Sequence, residues 1–443
     1  MPSLPNTDLA SALEDAEAKF VAANPKSQAR AELAKRSLPG GNTRTVLHFT
    51  PYPVTLAGGE GCHVTDIDGH RYADYLSEYT AGLYGHSEPR IIATLKSILD
   101  GGISLGGPNR YEADLAALLI QRFPTIERLR FCNSGTEANL FAISAARAFS
   151  KRPTVMVFEG GYHGGVFYFG QTKAAINAPF PYVMGAYNDT ARTVALIEQH
   201  ASELGVVAVE PMQGAGCIVA ERGFLQALRD VTRKHGIVLH FDEVMTSRLT
   251  PGGLQQHFGI TPDMTALGKY LGGGMTFGAF GGRKDIMEMF DPYRPGSTPH
   301  GGTFNNNVLS MAAGLVGLRD IYTPEAAIAL NASGDRLREG LDGLDGLAQK
   351  HGAAMHVSGF GSMLNVHFQR GPIRRPEETW VSGEEAKRQE RLKALFHFDM
   401  LAAGQYLARR GFMSLSLPMM PKDHDAFAAA FEEFLILRKP LIS

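Results

Sequence analysis

The sequence predicts an α/β fold with a large, mainly parallel β-sheet and a smaller α+β unit. Between residues 128 and 244, short runs rich in Val, Ile and Leu alternate with helical patterns. This alternation is typical of parallel sheets whose two faces are covered by helices. From about residue 330 a helical pattern resumes, and it is followed by strand-like stretches at 355–368 and 411–418. These later stretches indicate the second, smaller unit.

Individual elements follow from local patterns along the chain. Residues 7–37 form a mixed-charge helical stretch that ends at a Pro and two glycines in 38–44. Residues 63–76 alternate apolar and polar side chains around an Asp-Gly pair, which predicts a hairpin. The remaining patterns predict strands at 128–133, 154–160, 205–212 and 236–244, helices at 135–150 and 222–235, and a polar loop entering a helix within 370–390.

The expected domain division places residues 76–330 in the large domain. Residues 1–75 would contribute to the small domain together with residues 331–443. A chain of 443 residues exceeds a typical single domain, which favours this arrangement.

Composition excludes several classes of protein. Hydrophobic residues make up 44% of the chain and charged residues 20%, as in soluble globular proteins. A formal net charge of −2 provides no electrostatic basis for binding nucleic acid or a membrane surface. No apolar run approaches the roughly 20 residues that span a bilayer. The polar, acidic N-terminus lacks a signal-peptide pattern, so we expect a cytoplasmic protein.

The cysteines argue against a disulfide framework. Cys62, Cys132 and Cys217 are odd in number and far apart, and they form no CxxC metal motif. We therefore expect no metal site, and we expect Cys132 and Cys217 to be small buried apolar residues.

Two Gly-containing stretches follow predicted strands. Ser134, Gly135 and Thr136 open the helix after the first strand, where backbone N–H groups could bind an anion. The same residues could equally form an ordinary helix cap, with Glu137 in the first turn. Tyr162, between two glycine pairs, could stack on a planar ligand or belong to a surface turn.

Two charged residues stand in apolar surroundings. Asp242 ends an apolar strand, where a carboxylate is costly to bury unless it meets a cation or caps a turn. Lys269 is followed by Tyr270 rather than Ser or Thr, so it is not a Walker lysine. An amine in apolar surroundings loses proton affinity and becomes a usable nucleophile. A lysine that reaches to the surface is the alternative.

Taken together, the four stretches supply an anion cradle, a stacking aromatic ring, a carboxylate and an amine. Pyridoxal 5'-phosphate (PLP) needs these groups, because it forms a Schiff base with a lysine and pairs its ring nitrogen with an acidic residue. The sequence therefore predicts a PLP site, with Lys269 suited to proton transfer once it is a free amine.

Six motifs between about residues 130 and 315 strengthen this prediction. In their order and wording they resemble the class III (fold-type I) PLP-dependent aminotransferases. Within that class the sequence is similar to aromatic β-amino-acid (β-phenylalanine) aminotransferases and to glutamate-1-semialdehyde aminomutases. The motifs are "NSGTEAN", "EGGYHGG", "VEPMQGAGC", "FDEVMTSR", "LGKYLGGGMTFGAFGG" and "GGTFNNNVLSMAAG".

The resemblance implies a role for each matching residue. Lys269 would form the Schiff base, and Asp242 would pair with the ring nitrogen. Ser134, Gly135 and Thr136 would bind the phosphate. The other implied cofactor contacts are Tyr162 and Val244 on the two ring faces, Glu210 and Gln213 near Asp242 and the ring hydroxyl, and Thr303 on the phosphate of the neighbouring subunit's PLP. Such sharing implies a homodimer.

Substrate residues are implied in the same way. Arg44 matches the arginine that binds the substrate carboxylate, and Arg410 the one that binds the carboxylate of a 2-oxo acid. For each, a solvated surface arginine is the alternative. Tyr79 and Tyr84 would form an aromatic pocket wall.

These matches imply a ping-pong transfer of an amino group from an aromatic β-amino acid to a 2-oxo acid. The stretches "SEYTAGLYGH" and "TPHGGTFNNN" depart from the aminomutase pattern and argue against that isomerase reaction. The alternatives are glutamate-1-semialdehyde 2,1-aminomutase, a broad amine or ω-transaminase, and a PLP-binding regulatory protein without turnover.

Overall fold

The computed structural model describes residues 7–171 and 174–443, so the first six residues of the predicted N-terminal segment lie outside the described part. Its strands, in chain order, are β1 (Leu56–Glu60), β2 (His63–Asp66), β3 (Arg71–Asp74), β4 (Arg128–Cys132), β5 (Thr154–Phe158), β6 (Gly161–Tyr162), β7 (Tyr168–Phe169), β8 (Tyr182–Gly185), β9 (Leu204–Val209), β10 (Met212–Gln213), β11 (Ile218–Val219), β12 (Val238–Asp242), β13 (Met264–Gly268), β14 (Gly278–Gly282), β15 (His356–Phe360), β16 (Met363–His367), β17 (Gln405–Tyr406) and β18 (Phe412–Ser414).

The α-helices of the same residues alternate with these strands. In chain order they are α1 (Leu9–Ala23), α2 (Pro25–Ala34), α3 (Pro89–Leu99), α4 (Glu112–Arg122), α5 (Gly135–Ser150), α6 (Thr190–Gln199), α7 (Arg222–His235), α8 (Gly253–Phe258), α9 (Lys284–Met287), α10 (Val308–Val316), α11 (Pro324–Arg338), α12 (Leu344–Lys350), α13 (Gly383–Ala402), α14 (Pro421–Leu437) and α15 (Lys439–Ile442). No helix in the described part of the chain combines the length and apolar composition needed to cross a bilayer.

A seven-stranded sheet in the order β4-β14-β13-β12-β9-β5-β8 forms the centre of the larger part of the protein. From β13 through β8 all neighbouring strands pair in parallel, whereas β14 is antiparallel to both β13 and β4. Every residue of β12, β13 and β14 is buried. The predicted mainly parallel sheet is therefore confirmed, with one antiparallel strand inserted near its edge.

The carboxyl ends of β4, β5, β9, β12 and β13 lie along one edge of this sheet, because these strands run in the same direction. Each of the four stretches singled out in the sequence follows one of these strand ends. The topology therefore brings together segments that are more than a hundred residues apart in the chain.

Two smaller sheets lie outside the seven-stranded one, and the first of them combines the two ends of the chain. The order β1-β2-β3-β17 joins an N-terminal meander to a strand near the C-terminus, with Ala73 opposite Gln405. The other sheet has the order β15-β16-β18. The predicted hairpin is present, as the β2–β3 pair. The domain boundaries themselves stay a prediction, and α11 runs across the one placed at 330/331.

The helical pattern at 7–37 is two helices rather than one. Pro25 occupies the first turn of α2, and Asn24 ends α1 while its side-chain amide donates to the Phe20 carbonyl at 2.8 Å. Proline is well tolerated at a helix start but cannot donate within a helix, so the chain restarts there. The Phe20 ring packs 5.1 Å from that of Phe398 in α13, which docks α1 on the C-terminal region.

The three cysteines are free and buried, as predicted for Cys132 and Cys217. Cys62 lies beside two other possible metal ligands, with its Sγ 3.4 Å from His63 Nδ1 and 3.8 Å from Asp423 Oδ2. The possible ligand atoms of these three residues lie within 4.8 Å of one another, and the expectation of no metal site stays a prediction.

Arg248 joins the large sheet region to the C-terminal strands. Its side chain is fully buried and donates to Ser414 Oγ at 2.9 Å and to Ser362 Oγ at 3.2 Å. It also donates to the carbonyls of Thr80 and Leu415. Within the described residues no carboxylate pairs with it, so neutral oxygens alone solvate this cation. Burial accordingly lowers the pKa of Arg248.

We predict that Arg248→Lys lowers the free energy of unfolding by about 2 kcal/mol, because an ammonium cannot serve acceptors arranged around a guanidinium fork. Chemical denaturation monitored by circular dichroism measures the effect. The matched control is Arg319→Lys on an exposed ion pair with Asp320, which should change stability little. Equal stability of both variants would contradict a bridging role for Arg248.

Candidate active site

A cavity of about 520 Å³ lies at the edge of the sheet where the strands end. Most residues predicted to hold the cofactor line it together with Arg44. These lining residues are Ser134, Gly135, Thr136, Tyr162, Glu210, Asp242, Val244 and Lys269. The structure thus brings the four sequence stretches around one space.

The start of α5 is both a helix cap and a possible anion site. Ser134 Oγ accepts a hydrogen bond from the Glu137 N–H at 3.1 Å, as expected for an N-cap. The N–H groups of Gly135 and Thr136 have no acceptor within the helix, because the first turn leaves them free. A side chain at residue 135 would not fit, since an added Cβ would lie 2.7 Å from Val244 Cγ1. The backbone therefore borders the cavity directly.

Asp242 is buried, and both of its carboxylate oxygens accept hydrogen bonds from neighbouring donors. Its Oδ2 accepts from His163 Nδ1 at 2.8 Å and from Asn139 Nδ2 at 2.9 Å, while Oδ1 accepts from the Val244 N–H at 3.0 Å. Asn139 Nδ2 also donates to the Gly135 carbonyl at 3.1 Å. These partners hold a carboxylate in one orientation inside the fold.

A second buried histidine supports Asn139. His240 Nε2 lies 2.8 Å from Asn139 Oδ1. Because the amide nitrogen of Asn139 already donates twice, Oδ1 must accept, and we infer that Nε2 of His240 carries the proton. Burial lowers the pKa of His240 to about 4, which keeps the ring neutral.

Sequence reasoning gave no role to His163, Asn139 or His240, although the first two lie within the quoted motifs. Two sequence spacings could have indicated that Asn139 and His240 belong to the site. Asn139 is one helical turn after Gly135, and His240 is two residues before Asp242, on the same face of β12.

Burial and charge shift the other titratable groups of the cavity. Burial alone would lower the pKa of His163, but the hydrogen bond and charge of Asp242 outweigh it and raise that pKa. Burial, with the Asp242 charge, raises the pKa of Glu210 to about 7. Glu210 accepts from the N–H groups of Tyr162 at 3.0 Å and Gly214 at 2.9 Å. Two carboxyls and one imidazole thus share a small buried volume.

Lys269 follows β13 directly and adopts a left-handed backbone conformation with φ +58°. Burial is the main cause that lowers the pKa of its amine to about 8. The nearby charges of Arg44 and Arg410 act in the same direction, whereas Glu78 and Asp242 oppose them. At pH 7 about a tenth of the Lys269 side chains are therefore neutral amines, compared with fewer than about one in a thousand for an ordinary lysine.

Gln213 and Thr303 do not line this cavity. The Gln213 amide nitrogen donates to the Glu159 carbonyl at 2.8 Å, and its Oε1 is buried without a partner among the described residues. Thr303 is exposed. Their predicted contacts with the cofactor stay predictions.

The two predicted tyrosines occupy different environments, and neither lines the cavity. Tyr79 is buried beside the cavity mouth, where its hydroxyl donates to the Val46 carbonyl at 3.1 Å and its ring stacks 5.3 Å from that of Phe412. Tyr84 lies deeper, and its buried hydroxyl packs against Gly317, where an added Cβ would lie 2.6 Å away, so its place in a pocket wall stays a prediction. Tyr84 is a core residue in this structure.

The two predicted arginines also differ. Arg44 lines the cavity and forms an ion pair with Glu78. Arg410 is exposed, outside this cavity's lining, and its guanidinium lies over the Tyr79 ring at 5.1 Å from the centroid. Both cationic side chains lie close enough to Tyr79 for their charges to oppose the rise that burial causes in its pKa.

The sequence of the chain matches a known protein family over most of its length. Residues 48–384 match the family model described as aminotransferase class-III. The chain belongs to the class III aminotransferases. This confirms the predicted family, the fold-type I architecture and the PLP dependence that characterises the class.

Individual class III aminotransferases resemble the chain over nearly its whole length. It is 50% identical over 426 residues to the β-phenylalanine transaminase of Variovorax paradoxus, covering 96% of each chain. A crystal structure of a β-phenylalanine aminotransferase from that organism superposes with a TM-score of 0.94 at 48% identity, covering 98% of this chain and 99% of the other. The glutamate-1-semialdehyde 2,1-aminomutase of Desulforudis audaxviator is 36% identical over 404 residues, covering 87% of this chain and 91% of that one.

The residues of the cavity fit PLP. The start of α5 offers free N–H groups beside Gly135, where no side chain is accommodated. Asp242 is a buried carboxylate that a ring nitrogen could approach, and Lys269 is an amine with a pKa of about 8. His163 Nε2 is buried without a partner in the described part of the chain, which leaves a donor or acceptor for a bound group.

We predict that the apo-protein captures PLP at a rate that rises with pH, reaches half its maximum near pH 8 and levels off above about pH 9. Only the neutral Lys269 amine adds to an aldehyde, and its pKa is about 8 rather than the ordinary lysine value of about 10.4. Stopped-flow absorbance of the cofactor, recorded from pH 6 to pH 11, gives the profile.

Two variants serve as controls for this profile. Lys269→Ala should lose the covalent phase, and Glu210→Gln should keep the bend near pH 8. A wild-type rate that keeps rising beyond pH 10 would show that burial does not activate Lys269.

Proposed function

We propose that this class III aminotransferase takes the amino group of an aromatic β-amino acid, of the β-phenylalanine type, and passes it to a 2-oxo acid. The main support is that Arg44 lines the same cavity as Lys269. One cavity thus offers a cation for a carboxylate and an amine for the chemistry. The similarity to a β-phenylalanine transaminase over 96% of the chain favours this substrate class.

The proposed reaction assigns tasks to residues of the cavity. PLP, when bound, supplies an electrophilic carbon and a ring that accepts electrons. Lys269, as a neutral amine, would take a proton from the amino-bearing carbon of the donor and later return one to the acceptor. Asp242 would hold a proton on the ring nitrogen, because its charge is fixed by His163 and Asn139.

Further residues would hold the cofactor in place. The start of α5 at Ser134, Gly135 and Thr136 would bind the phosphate. Tyr162 and Val244 would flank the ring. Glu210 and Gln213 would lie toward the ring hydroxyl, where the unpartnered Gln213 Oε1 remains an available acceptor.

Two receptors would serve the two substrates in turn. Arg44 would bind the carboxylate of the β-amino acid, and Arg410 would bind that of the 2-oxo acid. Tyr79 lies near both arginines and would contribute an apolar aromatic surface. Met275 and Phe277 line the cavity and suit an aryl side chain.

The second candidate function is glutamate-1-semialdehyde 2,1-aminomutase, because one such enzyme is 36% identical to the chain. That reaction consumes no added 2-oxo acid, so turnover of the semialdehyde alone would favour it. A broad amine or ω-transaminase would instead accept amines that lack a carboxylate. A regulatory PLP-binding protein would release no product from any donor.

We also propose a homodimer with shared active sites. The segment around Thr303 exposes Phe304, and the neighbouring segment exposes Ile103 and Leu105. The Asn109 side chain joins the two segments by donating to the Asn306 carbonyl at 2.7 Å. Such an apolar surface beside the active-site edge suits a second copy of the chain. A cytoplasmic location stays a prediction, with which three free cysteines are compatible.

We predict that Arg44→Ala lowers kcat/KM for 3-amino-3-phenylpropanoate about 100-fold, chiefly through KM, because a charge-assisted carboxylate contact is lost. Activity on 1-phenylethylamine, which has no carboxylate, should change little. The measurement is steady-state kinetics with pyruvate or 2-oxoglutarate as acceptor.

Arg36→Ala removes an exposed arginine outside the cavity and is the matched control for Arg44→Ala. An unchanged specificity constant for the β-amino acid in Arg44→Ala would rule out Arg44 as the carboxylate receptor.

We predict that hybrids of Lys269→Ala and Thr303→Ala subunits regain up to half of the wild-type activity. Each hybrid dimer would contain one site with an intact Lys269 from one subunit and an intact Thr303 from the other. Co-expression with two affinity tags isolates the hybrid, and light scattering gives its mass. A monomeric mass, or no recovery in the hybrid, would refute shared sites.

A further inference from the structure

A left-handed turn at residues 77–80 shapes the mouth of the cavity. All four residues have positive φ angles, 45°, 49°, 50° and 81°, and none is glycine. Residues other than glycine rarely adopt this backbone conformation, so contacts with the surrounding structure must stabilise it. Asp74 Oδ1 accepts from the N–H groups of Leu76 at 3.0 Å and Ser77 at 2.9 Å, and Ser77 Oγ donates to the Gly82 carbonyl at 2.9 Å.

This turn directs Glu78 toward Arg44. The two side chains form an ion pair, and both line the cavity that contains Lys269. Tyr79, the next residue in the turn, bonds to the Val46 carbonyl at 3.1 Å and so ties the turn to the segment carrying Arg44. The turn and the segment of Arg44 are therefore joined both by the ion pair and by the Tyr79 hydrogen bond, which keeps the Glu78 carboxylate close to Arg44.

The second arginine at the mouth lacks such a partner. Arg410 makes no hydrogen bond or ion pair with any described residue, and its guanidinium lies over the rings of Tyr79 and Phe412. Of the two cations available for substrate carboxylates, only Arg44 is already neutralised by the protein. Because only one of the two arginines is paired, Glu78 distinguishes Arg44 from Arg410, although the sequence indicated no role for this carboxylate.

We propose that Glu78 occupies the carboxylate-binding position of Arg44 in the unliganded enzyme and is displaced by the carboxylate of the donor. This rests on Arg44 being the carboxylate receptor of the proposed function. The Arg44 and Glu78 side chains are 40% and 54% exposed, so water screens their attraction. A substrate that also gains aromatic contacts can therefore compete with Glu78.

The proposal is tested by equilibrium binding of 3-phenylpropanoate, a carboxylate without an amino group, to the holoenzyme. Glu78→Gln keeps the size of the side chain and removes its charge. We expect the Kd from isothermal titration calorimetry to fall about two- to fivefold, the range of an exposed ion pair. KM for 3-amino-3-phenylpropanoate should fall similarly, while kcat stays the same.

A second variant guards against a misfolded turn. Glu78→Asn also removes the charge, and asparagine tolerates positive φ angles better than most residues. It should tighten binding of 3-phenylpropanoate as Glu78→Gln does. The matched control is Glu384→Gln, which breaks an exposed 2.7 Å ion pair with Lys387 on α13 and should leave the Kd unchanged.

Double variants identify the arginine that Glu78 blocks. In the Arg44→Ala background, Glu78→Gln should give no gain in affinity. In the Arg410→Ala background the gain should persist. The neutral ligand 3-phenylpropan-1-ol should bind equally to wild type and Glu78→Gln.

An unchanged or higher Kd in both Glu78 variants would overturn the proposal and would point to Glu78 as a group that orients Arg44. A gain that survives Arg44→Ala would also overturn it. Failure of the proposed function looks different, because 3-phenylpropanoate would still bind more tightly to Glu78→Gln although no β-amino acid is turned over.

Discussion

A negative charge buried at the end of β12 constrains the whole active-site region. Such a charge is costly unless donors surround it, and Asp242 receives hydrogen bonds from His163, Asn139 and the Val244 N–H. These donors come from the loop after β5, from α5 and from the turn after β12. Satisfying one carboxylate therefore fixes three segments relative to one another. The same charge opposes the effect of burial on the Lys269 pKa, so the acid and the amine are coupled across the cavity.

Local patterns predicted the elements well where local physics decides the structure. The helix expected at 222–235 has those bounds in α7, and Asp242 ends an apolar strand, β12, as the sequence predicts. Where the structure differs from the sequence-based predictions, contacts between residues far apart in the chain are the reason. The bonds of Asn139 and His240 cross from a helix to a strand about a hundred residues away. Tyr84 belongs to the stretch "SEYTAGLYGH", yet its hydroxyl packs in the core against Gly317, where only a residue without a side chain leaves enough room.

Long-range pairing explains why domain organisation is harder to predict than secondary structure. The pairing of β3 with β17 joins residues more than three hundred positions apart, and no periodicity along the chain indicates it. Arg248 makes a similar connection through neutral oxygens, whereas sequence reasoning expects a buried cation to meet a carboxylate. The predicted division at 330/331 falls within α11, because the helical pattern around residue 330 contains no signal for a boundary.

Tyr79 has a consequence for an enzyme whose two substrates enter the same space in succession. Its ring faces Arg410, its hydroxyl is bonded beside the segment of Arg44, and its backbone belongs to the left-handed turn. The proposed receptors Arg44 and Arg410 thus share one neighbour, since Tyr79 contacts Arg410 directly and is bonded to the segment that follows Arg44. If the two substrate carboxylates bind there in turn as proposed, an adjustment of Tyr79 for one of them would also alter the surroundings of the other, without any movement of the sheet below.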